Sequence, residues 1–304
     1  MKRWMRRIVI GCTVLAGLGL VLVAGVYGFS SRRLNRRFDV PAGGGLTIVS
    51  DSAHIARGRH LVAAVTPCMA CHGADLGGAV LMDAGPLIGR IYAPNLTRGE
   101  GGIGATFSDA DWVRAVRYGV GPDGRGLMIM PIEAFRHLSD EDLADIIAYV
   151  KSRPPVGRET ERSTVGPLVR VLYLLGKFPI LPAESMPHDG RRPVSSPPRG
   201  ATAEYGAYLT HIAGCVGCHG PDLSGGPAPG APPGTPPAQD LTPAGIGSWT
   251  EQDFFHAIRL GQRPDGSAID TFMPWLTFRN MTDDELRAIW LYLKTLPPSG
   301  AGGA

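Results

Sequence analysis

The chain has 304 residues, 44% of them apolar, which is enough material for about two ordinary domains. Its net charge of +3 conceals an asymmetry: eight Lys and Arg and no acid fall within residues 1–37, which leaves 22 basic against 27 acidic residues beyond. No cluster of Lys and Arg interleaved with aromatics occurs in that acidic remainder, so nucleic-acid binding has no support. Four of the five cysteines belong to two identically spaced motifs and the fifth, Cys12, sits alone in an apolar run, so no structural disulfide is available.

The first element is that run. Ile8 to Phe29 is free of charge for 22 residues, long enough at about 1.5 Å per residue to cross a bilayer core. Lys2, Arg3, Arg6 and Arg7 precede it and Arg32, Arg33, Arg36 and Arg37 follow it, so charge alone leaves its orientation undecided. The run exceeds the apolar stretch of a cleaved signal peptide and no A-x-A site ends it, so residues 1–37 read as an uncleaved membrane anchor. A lipoprotein reading of Val9-Ile10-Gly11-Cys12 fails because the apolar stretch lies after the cysteine.

Next come two pentapeptides, Cys68-Met69-Ala70-Cys71-His72 and Cys215-Val216-Gly217-Cys218-His219. The spacing is that of c-type haem attachment. Two thiols one helical turn apart can add to both vinyl groups of a porphyrin, and the adjoining imidazole then faces the iron. A zinc site would need a second Cys or His pair in the same small unit, whereas these pairs lie 147 residues apart. A thioredoxin-like dithiol would follow a strand, and no strand pattern precedes either pair. Two covalently bound haem c groups are the expected cofactors.

The sequence around the motifs is duplicated. Arg57-Gly58-Arg59-His60-Leu61 answers Tyr205-Gly206-Ala207-Tyr208-Leu209; Asn95-Leu96-Thr97 answers Asp240-Leu241-Thr242; Gly102-Ile103-Gly104 answers Gly245-Ile246-Gly247; and Pro122-Asp123-Gly124 answers Pro264-Asp265-Gly266. Each copy closes with a helix signalled by a capping box, Ser139 with Asp142 and Thr282 with Glu285, followed by apolar residues at helical spacing and a Pro-Pro stop. Shorter helices are predicted from Ser108 to about Tyr118 and from Thr250 to about Leu260.

Residues 158–199 read as a linker between copies at 50–157 and 200–298. Its apolar piece, Val165 to Leu181, is broken by Pro167, Arg170, Lys177 and Pro179. That piece is expected to pack between the domains or to lie on a membrane surface, not to span. Pro221 to Pro243 is dense in Pro and Gly and reads as an irregular loop. No alternating strand pattern of useful length occurs, so the expected fold class is all-α.

What fills the second face of each iron decides between electron carriage and catalysis. Met130-Pro131 and Met273-Pro274 occupy the same place in both copies, after the Pro-Asp-Gly turn and before the last helix. A thioether on such a loop can ligate iron, raise its potential and close the site. Met128 competes with Met130 in the first copy only. His54, His60, His137, His211 and His256 occupy no matching places and are expected in core or surface roles, and Trp112 and Phe254 are expected to pack around the haems.

With these residues assembled, the chain resembles class I cytochrome c domains from 54 to 155 and again from 202 to 298. More narrowly, it resembles the multihaem cytochrome c subunits of bacterial membrane-bound alcohol, aldehyde and sugar-acid dehydrogenases. The resemblance is carried by CHG, Asn-Leu-Thr, Gly-Ile-Gly, the Asp-Trp and Asp-Phe helices, Pro-Asp-Gly, Met-Pro and the Leu-Ser-Asp-Glu-Asp-Leu helix start. Those subunits often hold three haems and this chain has two motifs. The resemblance implies a small helical bundle in which the first and last helices cross at Gly58 and at Gly206. It also implies haem domains on the periplasmic side of a bacterial inner membrane, with the N-terminus inside. The function implied is single-electron transfer in a respiratory chain, from a membrane-bound dehydrogenase or the quinone pool to a terminal oxidase or soluble cytochrome. The alternative is a dihaem enzyme, a peroxidase or sulfur-compound dehydrogenase, with one open or displaceable ligand.

Overall fold

A computed structural model describes residues 3–41, 45–188, 195–231 and 234–300. The charge-free run forms most of α1 (Arg3–Leu34), a helix of 32 residues whose most apolar window has a mean hydropathy of 2.5 and no buried residue. Among the described residues it is the one helix long and apolar enough to cross a membrane. Arg32 and Arg33 close its last turn, where cations offset the helix dipole.

The first copy starts with α2 (Ser52–His60), capped by the Asp51 carboxylate, which accepts from the Ala53 and His54 N–H groups at 2.9 Å. A π-helical turn, Leu61–Val65, leads to α3 (Cys68–His72). There follow β1 (Ala79–Asp83), α4 (Gly85–Ile88), β2 (Gly89–Ala93), α5 (Asp109–Tyr118), α6 (Ile132–Phe135) and α7 (Asp140–Ser152). The second copy repeats the scheme without the strands. It runs through α9 (Ala203–Ile212), α10 (Cys215–His219), α11 (Pro243–Ile246), α12 (Glu251–Leu260), α13 (Trp275–Phe278) and α14 (Asp283–Thr295). Between the copies lie β3 (Thr164–Val165) and α8 (Pro167–Leu174).

The hydroxyl-led helix starts hold. Ser108 with Asp111, Thr250 with Asp253 and Thr282 with Glu285 form reciprocal capping boxes, each satisfying two otherwise free N–H groups. At α7 the box is only half made: the Ser139 hydroxyl accepts from the Asp142 N–H at 3.0 Å, but the Asp142 carboxylate is drawn elsewhere. First and last helices of each copy cross as the glycines require. A Cβ on Gly58 would lie 1.9 Å from the Asp145 carbonyl oxygen, and one on Gly206 would lie 1.9 Å from that of Ala288. Backbones this close leave no room for any side chain.

The fold is mostly helical but not all-α, which corrects the expectation from sequence. β1, β2 and β3 form an antiparallel sheet in that order, with Ala79 opposite Ala93 and Gly89 opposite Val165. A bulge between Val80 and Met82 breaks the in-out alternation and leaves Val80 and Leu81 exposed at successive positions. The period-2 signal that announces a strand is therefore missing from the sequence. Nor does the apolar linker piece pack between the copies: α8 lies against α1 and against the first copy, where Val169 and Tyr173 join Leu34 and Ile91 in a small core.

The two copies meet over a single continuous core that runs from Leu61 in the first to Leu293 in the second. A polar cluster at this interface obeys the duplication. Arg57 and Tyr205 hold equivalent places, as do His60 and Tyr208, and Asp142 and Glu285. The Tyr208 hydroxyl donates to Asp142 at 2.7 Å, while His60 Nε2 lies 2.7 Å from Glu285. Arg57 donates across the pseudo-twofold to the Tyr205 hydroxyl at 3.1 Å and also reaches Asp142 at 3.2 Å. Burial pushes the Glu285 carboxyl upward, but His60 and Arg57 outweigh it and hold the group below the usual carboxylate range.

Candidate functional site

Each CxxCH forms a single helical turn ended by a glycine whose φ is positive, Gly73 at 80° and Gly220 at 84°. The chain then folds back over the histidine identically in both copies. The Gly78 N–H donates to the His72 carbonyl at 2.9 Å and the Gly225 N–H to that of His219 at 2.8 Å. Leu76 and Leu223, almost fully buried, sit in the left-handed region at 58° and 61°. That conformation costs a leucine about 1–2 kcal/mol, and its occurrence at the same step of both copies shows the loop is held by its surroundings.

The loops orient the imidazoles. His72 Nδ1 donates to the Pro94 carbonyl at 2.9 Å and His219 Nδ1 to the Gln239 carbonyl at 2.7 Å. A carbonyl only accepts, so Nδ1 carries the proton and each Nε2 keeps a free lone pair. Burial lowers both histidines below the ordinary range, and they are neutral at pH 7.

In front of each imidazole opens an apolar cavity, of about 390 Å³ in the first copy and about 420 Å³ in the second. These volumes suit one medium-sized ligand each. Cys68, Cys71, His72 and Met130 line the first; Cys215, Cys218, His219 and Met273 line the second. Met128 also lines the first cavity, so both sulfur candidates named for that copy reach it. Pro67 and Pro131 line both cavities, which therefore stand back to back across a thin shared wall.

The donor set discriminates between possible occupants. Burial pushes the Cys68 thiol up to about 11 and that of Cys215 to about 12, and raises Cys71 and Cys218 as well. No three His, Cys, Asp or Glu side chains converge as a metal-binding group among the described residues. A largely apolar group fits this lining better. Trp112 lines the first cavity, and its indole N–H is buried without a partner. Phe254, its counterpart, lines the second cavity and has no donor.

The other histidines stay outside. His54 bonds Asp145, His60 bonds Glu285, His256 faces Gln262, and His137 lies against His211 with ring centroids 4.8 Å apart and planes tilted by 54°. Sequence reasoning passed over the indole donor and the carbonyls of Pro94 and Gln239. For the carbonyls a signal existed, since each directly precedes one of the paired stretches Asn95-Leu96-Thr97 and Asp240-Leu241-Thr242.

The sequence profile of the cytochrome c family matches residues 55–154 and again 203–297, enclosing both CxxCH turns and both Met-Pro loops. The chain belongs to the cytochrome c family. Membership implies covalently bound haem c. The cytochrome is 31% identical over 275 residues to the cytochrome c subunit of alcohol dehydrogenase (quinone) from Gluconacetobacter polyoxogenes, covering 82% of this chain and 57% of that one. It is 28% identical to the fructose dehydrogenase cytochrome subunit of Gluconobacter japonicus, over 83% of this chain and 55% of that one. It is also 28% identical to a diheme cytochrome c-type protein of Cereibacter sphaeroides, over 94% of this chain and 98% of that one. The chain thus spans little more than half the length of the two dehydrogenase subunits.

Proposed function

We propose that this cytochrome is a dihaem electron-transfer subunit, with residues 1–37 as a membrane anchor, haem domains at 50–157 and 200–298, and 158–199 as the linker. Cys68 and Cys71 would hold the first haem by thioethers, with His72 and Met130 as ligands to its iron; Cys215, Cys218, His219 and Met273 would hold the second. When bound, haem c supplies reversible one-electron chemistry. The observation that carries the reading is the wall shared at Pro67 and Pro131, which sets the two cavities next to each other and would let an electron cross the chain without leaving the protein.

The remaining residues favour carriage over turnover. His72 and His219 are fixed by carbonyls, both cavities are lined mostly by apolar side chains, and each has a thioether at hand. By the same reading the haem domains stand on the periplasmic face of a bacterial inner membrane. The electron donor would be a membrane-bound dehydrogenase or the quinone pool, and the acceptor a terminal oxidase or soluble cytochrome. Similarity to the alcohol and fructose dehydrogenase subunits supports the dehydrogenase as neighbour. The test is the full chain purified in mild detergent, with its haems counted by alkaline pyridine assay and its reactivity with hydrogen peroxide followed. Two haems per chain, both low-spin and both indifferent to peroxide, are expected. A high-spin haem that turns over peroxide would replace this reading with the enzymatic one.

A further inference from the structure

Outside the two cavities, large apolar side chains stand exposed together on α8 and α4. Leu168, Val171 and Leu175 recur at i, i+3 and i+7, forming one stripe, and are 42%, 39% and 65% exposed. Val169 and Tyr173, on another face of the same helix, are buried against the first copy. Leu87 of α4, 58% exposed, adjoins the stripe, because the Gly166 N–H just ahead of α8 donates to the Ile88 carbonyl at 2.8 Å.

What covers this stripe follows from where α8 is seated. The Arg170 guanidinium stands 4.6 Å from the centre of the Tyr27 ring and donates to the Ser30 and Ser31 hydroxyls at 2.8 and 3.0 Å. One turn on, Arg33 grips both Glu184 carboxylate oxygens at 2.8 Å and donates to the Tyr173 carbonyl at 3.0 Å. Tyr27 belongs to the charge-free run Ile8–Phe29. α8 is therefore clamped beside the last apolar turn of α1, at the level where that helix leaves a bilayer.

We infer that α4 and α8 form a second membrane contact, with Leu87, Leu168, Val171 and Leu175 immersed at the boundary between lipid headgroups and acyl chains. The occupant of the face is the bilayer itself, and the inference rests on the reading of α1 as an anchor. Arg32 in the last turn of α1, Arg36 just beyond it and Lys177 just beyond α8 are exposed and suit phosphate headgroups. The contact makes the first copy a membrane-seated body where a single span would leave a tethered one. It also holds the first cavity near the lipid, since Ile91 lines that cavity and shares a core with Val169 and Tyr173.

The test uses full-length holoprotein in which Cys12→Ser removes the thiol outside the CxxCH motifs. Single substitutions Leu168→Cys, Val171→Cys and Leu175→Cys each carry an environment-sensitive fluorophore. Leu260→Cys on α12, 56% exposed in the second copy, is the control. After reconstitution into phosphatidylcholine–phosphatidylglycerol vesicles, the protein should float with the lipid. Labels on α8 should shift to the blue and be quenched several-fold more strongly by shallow doxyl lipids than the label at 260. Floating protein whose α8 labels behave like the control overturns the second contact and leaves the α1 anchor standing. Protein that does not float overturns both.

Discussion

The Tyr208 hydroxyl of the second copy completes the helix cap of the first: it donates to the Asp142 carboxylate at 2.7 Å and accepts from the Ser139 N–H at 3.1 Å. In the other capping boxes the N3 acid itself serves the N-cap N–H. Here Asp142 is turned to Arg57 and Tyr208, and a residue 66 positions away takes its place. Helix start and domain interface are thus one structure.

Tyr208→Phe leaves the Ser139 N–H without its partner and the wholly buried Asp142 short of one donor. The expected loss is about 1–3 kcal/mol of stability, read from the denaturant midpoint of the holoprotein. An unchanged midpoint would show that water takes over both bonds.

Gly206→Ala places a methyl group 1.9 Å from the Ala288 carbonyl oxygen and forces α9 away from α14. The cost should be at least ~1–3 kcal/mol, with loss of the second copy's fold as the extreme result. Gly157→Ala, where an added Cβ meets nothing within 4 Å, should stay within about 0.5 kcal/mol of the parent.

Gly58 and Gly206 were legible as one position that recurs without a side chain on each first helix, where the family resemblance implies a close helix crossing. The helix caps, the CxxCH turns and the Met-Pro loops were legible for the same reason: each is a local pattern that occurs twice. What the sequence hid is non-local or irregular. The bulged β1 shows no alternation, and Arg57 meets Tyr205 across 148 residues without any motif to announce the pairing. The Trp112 indole read as packing, and only the structure shows its N–H buried without a partner.

Acid should loosen the interface through His137. An unfolded histidine binds its proton near 6.5, whereas burial and then the neighbouring His211 hold His137 at about 4. Between those values the unfolded chain binds the extra proton, so stability falls as pH falls through that window, by roughly 1–3 kcal/mol. Denaturant midpoints at pH 7 and pH 5 should differ less in His137→Gln than in the parent. Equal differences would assign the acid sensitivity to other groups.

Double replacement Cys68→Ser, Cys71→Ser should halve the haem stain that survives a denaturing gel, and Cys215→Ser, Cys218→Ser should do the same. The full set of four should abolish it. A pair whose removal leaves the stain unchanged would break the equivalence of the two copies.

The central claim is that Met130 and Met273 would each supply a thioether ligand to a haem iron. Near-infrared magnetic circular dichroism of the oxidised protein reads it directly, through the sulfur-to-iron charge-transfer band. Met130→Ala and Met273→Ala should each remove about half of that band and lower the potential of one haem, while Met128→Ala leaves it intact. A band that survives Met130→Ala and disappears in part with Met128→Ala, or a parent protein that shows no such band, would contradict the account.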